Sequence, residues 1–198
     1  MTTFKPTVPP PGRLARLGVV LDTRNPPDRL REVAKMCDRA GIDALWVRDQ
    51  AAPAGGAPRL DAWTALVLAG LATSRIRMGA MLDIAFRPPA MVVAMAATLD
   101  VALGGRLEIG VSGGASTARA ARLEAYSTLL RTLLAGESTR GFPLSVAARG
   151  PLEIAVAARV ADDVVLSATA FPELRATVQK VRMDARAAEQ GASALQEA

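Results

Sequence analysis

Short apolar runs rich in β-branched residues alternate along the chain with longer stretches whose apolar positions recur at helical spacing. The short runs are Leu17–Leu21 (LGVVL), Ala44–Val47, Ile76–Leu82, Leu107–Val111, Leu144–Ala148 and Val164–Ser167. Each reads as a strand, and each is followed by a helical pattern. The first helix opens on Asn25-Pro26-Pro27-Asp28, where Asn25 supplies a cap and the prolines suit a first turn. It carries Leu30, Val33, Ala34, Cys37 and Ala40, and Gly41 stops it. Further helices are predicted over Asp61–Thr73, Pro89–Leu103, about Ala118–Ala135, Pro151–Val160 and Pro172 to about Gln190.

Six strand–helix units in regular alternation mean parallel strands joined by right-handed crossovers. The runs are nearly continuous in apolar character, as expected when both faces of a parallel sheet are covered. Two α/β architectures satisfy the pattern, a (β/α) barrel and an open doubly wound sheet. Both place function at the carboxyl ends of the strands. The residues at those ends are Asp22, Asp49, Gln50, Asp83, Ser112, Gly113, Gly114, Arg149, Gly150 and Ser167. About half of such a set serves only to cap strand ends.

Length and composition narrow the function. A chain of 198 residues with 51% hydrophobic and 22% charged residues is one globular domain with a substantial core. Residues 1–15 form a Pro-rich leader without the apolar core of a signal peptide, and residues 16–198 form the domain. The longest apolar stretches fall short of a membrane span, which leaves the cytoplasm as the default location. The net charge of +5 comes from arginines dispersed beside acids, as in DRLRE and VRMDARAAE. Without like-charge runs or aromatics for base stacking, this argues for solvated helix faces rather than nucleic acid. The chain has one cysteine and no histidine, which excludes a disulfide framework, a Ser–His–Asp triad and His- or Cys-rich metal sites. Cys37 reads as a small core residue.

Several segments in order resemble the luciferase-like monooxygenases, a family of FMN- and F420-dependent oxidoreductases. They are AGIDALWVRD (Ala40–Asp49), DAWTALVLAGLATSRIRMGAML (Asp61–Leu82), FRPPAMVVAMAATLD (Phe86–Asp100), GGRLEIGVSGG (Gly104–Gly114), PLSVAARGP (Pro143–Pro151) and AARVADDVVLSA (Ala157–Ala168). The resemblance implies a TIM-barrel-like fold and a flavin-type cofactor, FMN or alternatively F420, acting on a small organic substrate. It places the cofactor phosphate at Ala148-Arg149-Gly150-Pro151, where a helix begins with unpaired amides and Gly150 permits close approach. Glu153 in the same turn opposes an anion there. The resemblance also sets Ser112-Gly113-Gly114 near the cofactor tail, Asp22, Asp49 and Ser167 around the pocket, and a cis peptide at Leu82-Asp83-Ile84. The glycine pair is not a GxGxxG fingerprint and no acid follows at dinucleotide spacing, which argues against a Rossmann NAD site.

The chain also departs from the family. Gln50 stands where relatives carry His after the second-strand Asp, and Arg87-Pro88-Pro89 replaces a His-containing helix start. Only Ser-Thr-Arg-Gly-Phe separates Glu137 from Pro143, where relatives insert a covering segment. A complete barrel takes about 250 residues or more for eight units, so six units predict an incomplete barrel with open edges. Those edges predict a homodimer or pairing with a full-length relative. No catalytic residue is identified; acid–base help would fall to Asp22, Asp49, Asp83, a tyrosine or water. The alternative function is a non-catalytic flavin-binding or partner subunit.

Overall fold

In a computed structural model the strands lie side by side in the order in which the chain makes them. The structure describes residues 17–49, 59–113, 116–135, 142–148 and 150–166, with residues 176, 179, 180, 183, 186 and 187 beyond them. Along it run β1 (Gly18–Leu21), α1 (Pro27–Arg39), β2 (Ala44–Arg48), α2 (Ala62–Gly70), β3 (Arg77–Asp83), α3 (Pro89–Ala102), β4 (Leu107–Ser112), α4 (Thr117–Leu134), β5 (Leu144–Ala148), α5 (Pro151–Val160) and β6 (Asp163–Leu166). All neighbouring strands pair in parallel, in the order β1-β2-β3-β4-β5-β6. That order decides between the two architectures. A doubly wound sheet reverses direction at a switch point, whereas a monotonic order with right-handed crossovers puts every helix on one face. The sheet curls into an incomplete TIM-barrel-like half-barrel, as the count of units predicted.

Helix starts follow the sequence closely. Pro27, Pro89 and Pro151 occupy first-turn positions of α1, α3 and α5. The Asp61 carboxylate caps α2, accepting the amides of Trp63 at 3.0 Å and Thr64 at 3.4 Å. Asn25 is not the cap of α1: Pro26 holds that position, and the Asn25 side-chain amide donates back to the Asp22 carbonyl at 3.1 Å. Helix α2 ends at Gly70, three residues before the predicted Thr73. Its last carbonyls are collected by Arg106, whose guanidinium donates to the Gly70 and Thr73 carbonyls at 2.9 and 3.1 Å, and to the Ile76 carbonyl at 2.8 Å. The last predicted helix, Pro172 to about Gln190, lies mostly outside the described residues; those described within it are helical.

The two faces of the sheet differ. Toward the helices point Leu45, Val47, Met78, Ala80, Leu82, Leu107, Ile109, Val111, Leu144 and Val146, all buried in one core. The alternate residues face inward, and they are small or polar: Gly18, Arg48, Arg77, Gly79, Glu108, Gly110, Ser112, Ser145 and Asp163. Trp46 and Met81 are the large exceptions, and Val20 and Val165 are apolar as well. The expectation that both faces are covered by apolar packing therefore holds only for the helix side. At the base of the inner face Arg77 pairs with Glu108, which is almost fully buried. Cys37 packs, partly buried, against the helix-side core, and burial raises its thiol pKa. No helix among the described residues is long and apolar enough to cross a membrane.

Candidate functional site

The inner face has an aromatic floor built on glycines. A Cβ added to Gly79 would stand 2.7 Å from Trp46 Cε2 and closer still to Cδ2 and Cε3, so the indole lies directly over that backbone. A Cβ at Gly110 would meet Met81 Cε at 2.6 Å and Trp46 Cζ3 at 3.0 Å, and one at Gly18 would meet Trp46 Cδ1 at 3.3 Å. Trp46, partly exposed, and Met81 thus fill the space that three glycines vacate. None of these five positions stood out in the sequence as a functional candidate.

At the carboxyl ends, β2 and β3 are tied by an ion-pair cluster. Arg87, just before α3, forks onto Asp49 with Nε–Oδ2 and Nη2–Oδ1 distances of 2.8 Å each. Its Nη2 also pairs with the cap residue Asp61. Asp49 is only 6% exposed at its side chain, so this fork neutralises a nearly buried carboxylate. Hydrogen bonding to Asp49 in the first place, and to Asp61, outweighs burial and holds the Arg87 pKa above its ordinary value. Tyr126 of α4 closes the cluster, donating its hydroxyl to the Arg87 carbonyl at 2.5 Å. Burial, reinforced by the Asp49 charge, pushes the Tyr126 hydroxyl up to about 12. Arg87, read from the sequence as the loss of a family histidine, is the centre of this arrangement.

The other expected site residues divide into three groups. Asp22 and Asp83 sit at strand ends with their carboxylates engaged. Asp22 accepts the Arg24 guanidinium at 2.6–3.0 Å, which with the Arg24 amide holds its pKa down to about 2. Asp83 accepts the Ala85 amide at 2.9 Å, closing a turn. Ser112, Gly113, Ala148 and Gly150 line the strand ends as backbone. The Ser112 hydroxyl donates to the Leu82 carbonyl at 3.3 Å, and the space beside Gly113 is filled by Ile84 and Leu123. Beside Gly150, by contrast, no atom of the described residues lies within 4 Å of a Cβ position, and α5 starts without a side-chain cap among them. Its first-turn Glu153 is buried in the protein. Gln50, Gly114, Arg149 and Ser167 lie outside the described residues.

The expected cis peptide at Leu82-Asp83-Ile84 is not there; no cis bond occurs among the described residues. In trans the chain leaves β3 with its pairing intact, the Ile84 amide donating to the Ser112 carbonyl at 3.1 Å while Asp83 caps the turn. A non-proline cis bond costs about 3–4 kcal/mol, and nothing in this exit demands it.

A cavity of about 280 Å³ opens at the ends of β1 and β2, lined by Val20, Leu21, Asp22, Thr23, Arg24, Arg48 and Arg59. No group of His, Cys, Asp and Glu able to hold a metal occurs among the described residues.

A family model for luciferase-like monooxygenases matches residues 13–139, more than half of the chain. The chain belongs to that family. Solved structures with the same fold include a coenzyme F420-dependent tetrahydromethanopterin reductase from Methanopyrus kandleri, 19% identical with a TM-score of 0.69 over 88% of this chain and 62% of that one. An F420-dependent secondary alcohol dehydrogenase, solved with an F420–acetone adduct, is 21% identical with a TM-score of 0.76, over 88% and 64%. A riboflavin lyase, solved with modified FMN and riboflavin, is 16% identical with a TM-score of 0.72, over 87% and 58%. This luciferase-like chain thus spans about three fifths of the length of the structures it matches. At these identities the likeness establishes the fold.

Proposed function

We propose that this luciferase-like chain is a flavin-type oxidoreductase that holds FMN, or alternatively F420, across its inner face at the carboxyl ends of the strands. The observation that carries this reading is the open space at Gly150 beside the uncapped start of α5. There the start of α5, which has no side-chain cap among the described residues, suits a cofactor phosphate. Family membership and the F420- and FMN-bound neighbours support the same choice. The bound cofactor would supply the redox chemistry, and the protein its orientation. Ser112 would stand beside it at the end of β4, and Trp46 with Met81 would form the floor beneath the substrate, a small organic molecule. Acid–base roles for Asp22, Asp49 or Asp83 would require each to leave the partner it now holds.

That engagement favours a second reading, a non-catalytic flavin-binding or partner subunit. The chain has no histidine, and its rim carboxylates are occupied by Arg24, Arg87 and the Ala85 amide. A homodimer, or pairing with a full-length relative, accompanies either reading, with β1 at an edge of the sheet as its place of contact. Titration of the purified protein with FMN and with F420 separately, followed by turnover with reduced cofactor, tests the proposal. Stoichiometric binding with turnover is expected. Binding without turnover would establish the second reading, and binding of neither cofactor would refute the first. A clean monomer at micromolar concentration would refute the pairing.

A further inference from the structure

The cavity at the ends of β1 and β2 has a charge imbalance that the rest of the rim, among the described residues, lacks. Three guanidiniums, of Arg24, Arg48 and Arg59, face one carboxylate, Asp22. Asp22 is already satisfied by Arg24, and Arg59 has a partner of its own. Arg48 is exposed and makes no ion pair among the described residues. It is the last residue of β2 and shares the inner face with Trp46, two residues earlier. At about 3.3 Å per residue the two side chains start about 6.6 Å apart along the strand. The wall beside them is apolar: Val20, opposite Trp46 in the register, is 59% exposed and also lines the cavity.

From this geometry we infer that the cavity binds the anionic group of the substrate, a carboxylate or phosphate attached to a planar or apolar body. Arg48 receives the anion in a two-pronged contact that its planar fork favours. The body lies against Val20 and the exposed part of the Trp46 ring. The inference rests on the flavin reading for the reaction, but the anion site stands on its own residues. It is also distinct from the space at Gly150. Three strand spacings of about 4.8 Å separate β2 from β5, about 14 Å along the sheet, so one phosphate does not serve both.

Calorimetric titration of the full chain with benzoate, phenyl phosphate and inorganic phosphate tests the site. Both aryl anions are expected to bind more tightly than inorganic phosphate, and more weakly as salt rises. Losing a charge-assisted contact removes about 1.5–3 kcal/mol, so Arg48→Ala is expected to weaken the aryl anions roughly 10- to 100-fold. Arg48→Lys should recover part of the loss, and Arg39→Ala on α1 should change nothing. Trp46→Leu should weaken the aryl probes but not inorganic phosphate. Matching circular dichroism and melting midpoints establish that the variants are folded. Equal affinity in Arg48→Ala and wild type, or no saturable binding of either aryl probe, overturns the inference.

Parallel titrations with FMN and riboflavin separate the two sources of an anion. FMN affinity unchanged in Arg48→Ala supports a substrate anion. FMN weakened while riboflavin, which lacks the phosphate, is not would assign Arg48 to the cofactor and overturn the substrate reading. Aryl anions binding through Arg48 in a chain that takes no flavin would uphold the site and refute the proposed function alone.

Discussion

Replacing Gly79 by alanine tests the description of the inner face at its tightest point. The added Cβ would fall 2.7 Å from Trp46 Cε2 and nearer to two further ring atoms, well inside van der Waals contact. The indole is a rigid plane over Gly79 that also approaches the Cβ positions of Gly18 and Gly110, so it must swing as a unit. Overpacking of this kind costs about 1–3 kcal/mol, and relief of the glycine backbone entropy returns about 0.5–1 kcal/mol. At the middle of both ranges the net loss is about 1 kcal/mol, which for a chain of this size lowers the melting midpoint by about 2–4 °C. Thermal unfolding followed by circular dichroism measures it, and tryptophan emission should shift as Trp46 moves. Gly110→Ala should cost less, because its Cβ first meets the flexible end of Met81. Trp46→Leu in the Gly79→Ala background should recover part of the loss. A Gly79→Ala protein melting at the wild-type midpoint with unchanged emission would refute the placement of the indole.

Three further outcomes follow from the paired groups. Arg87→Ala strands the Asp49 carboxylate, only 6% exposed, and should cost about 3–5 kcal/mol in urea denaturation; Arg87→Lys, unable to fork, should recover only part. Tyr126 is the single tyrosine, so tyrosinate absorbance reads it directly: ionisation should wait until about pH 12 instead of about 10. Because its folded pKa is raised, the stability carried by the neutral hydroxyl is complete below pH of about 10 and lost as pH climbs toward 12; ionisation near 10 in a still-folded protein would contradict the burial. Burial of Asp38 opposes its ionisation, but the amides of Ser74, Ile76 and Arg75 outweigh this and lower its pKa. Its contribution is therefore present above the unfolded value of about 3.9 and disappears as pH falls below it, so wild type should lose stability more steeply in acid than Asp38→Asn. Parallel acid titrations of stability would refute that role.

Much of the fold was legible in the sequence because it depends on local periodicity. The alternation of apolar runs with helical patterns marked every described strand and helix, and Pro27, Asp61, Pro89 and Pro151 marked helix starts. Boundaries slipped where a distant side chain intervened, as Arg106 does at the end of α2. The rim, too, was legible, because parallel topology alone sends the strand ends to one side.

The sequence by itself determined the βα order, the helix-side core and the absence of histidine chemistry. Tertiary structure alone decided the sheet order, the polarity of the inner face and the pairing state of each rim carboxylate. The inner face was hidden because Gly79 and Gly110 break the alternation that would have marked it. Glycine is neither apolar nor polar in a pattern, and only the register sets Trp46 over one and Met81 against the other. The Arg87 cluster was hidden for a different reason. Arg87 and Asp49 are 38 residues apart, and what joins them is the spacing of adjacent strands and the need of a nearly buried charge for a partner.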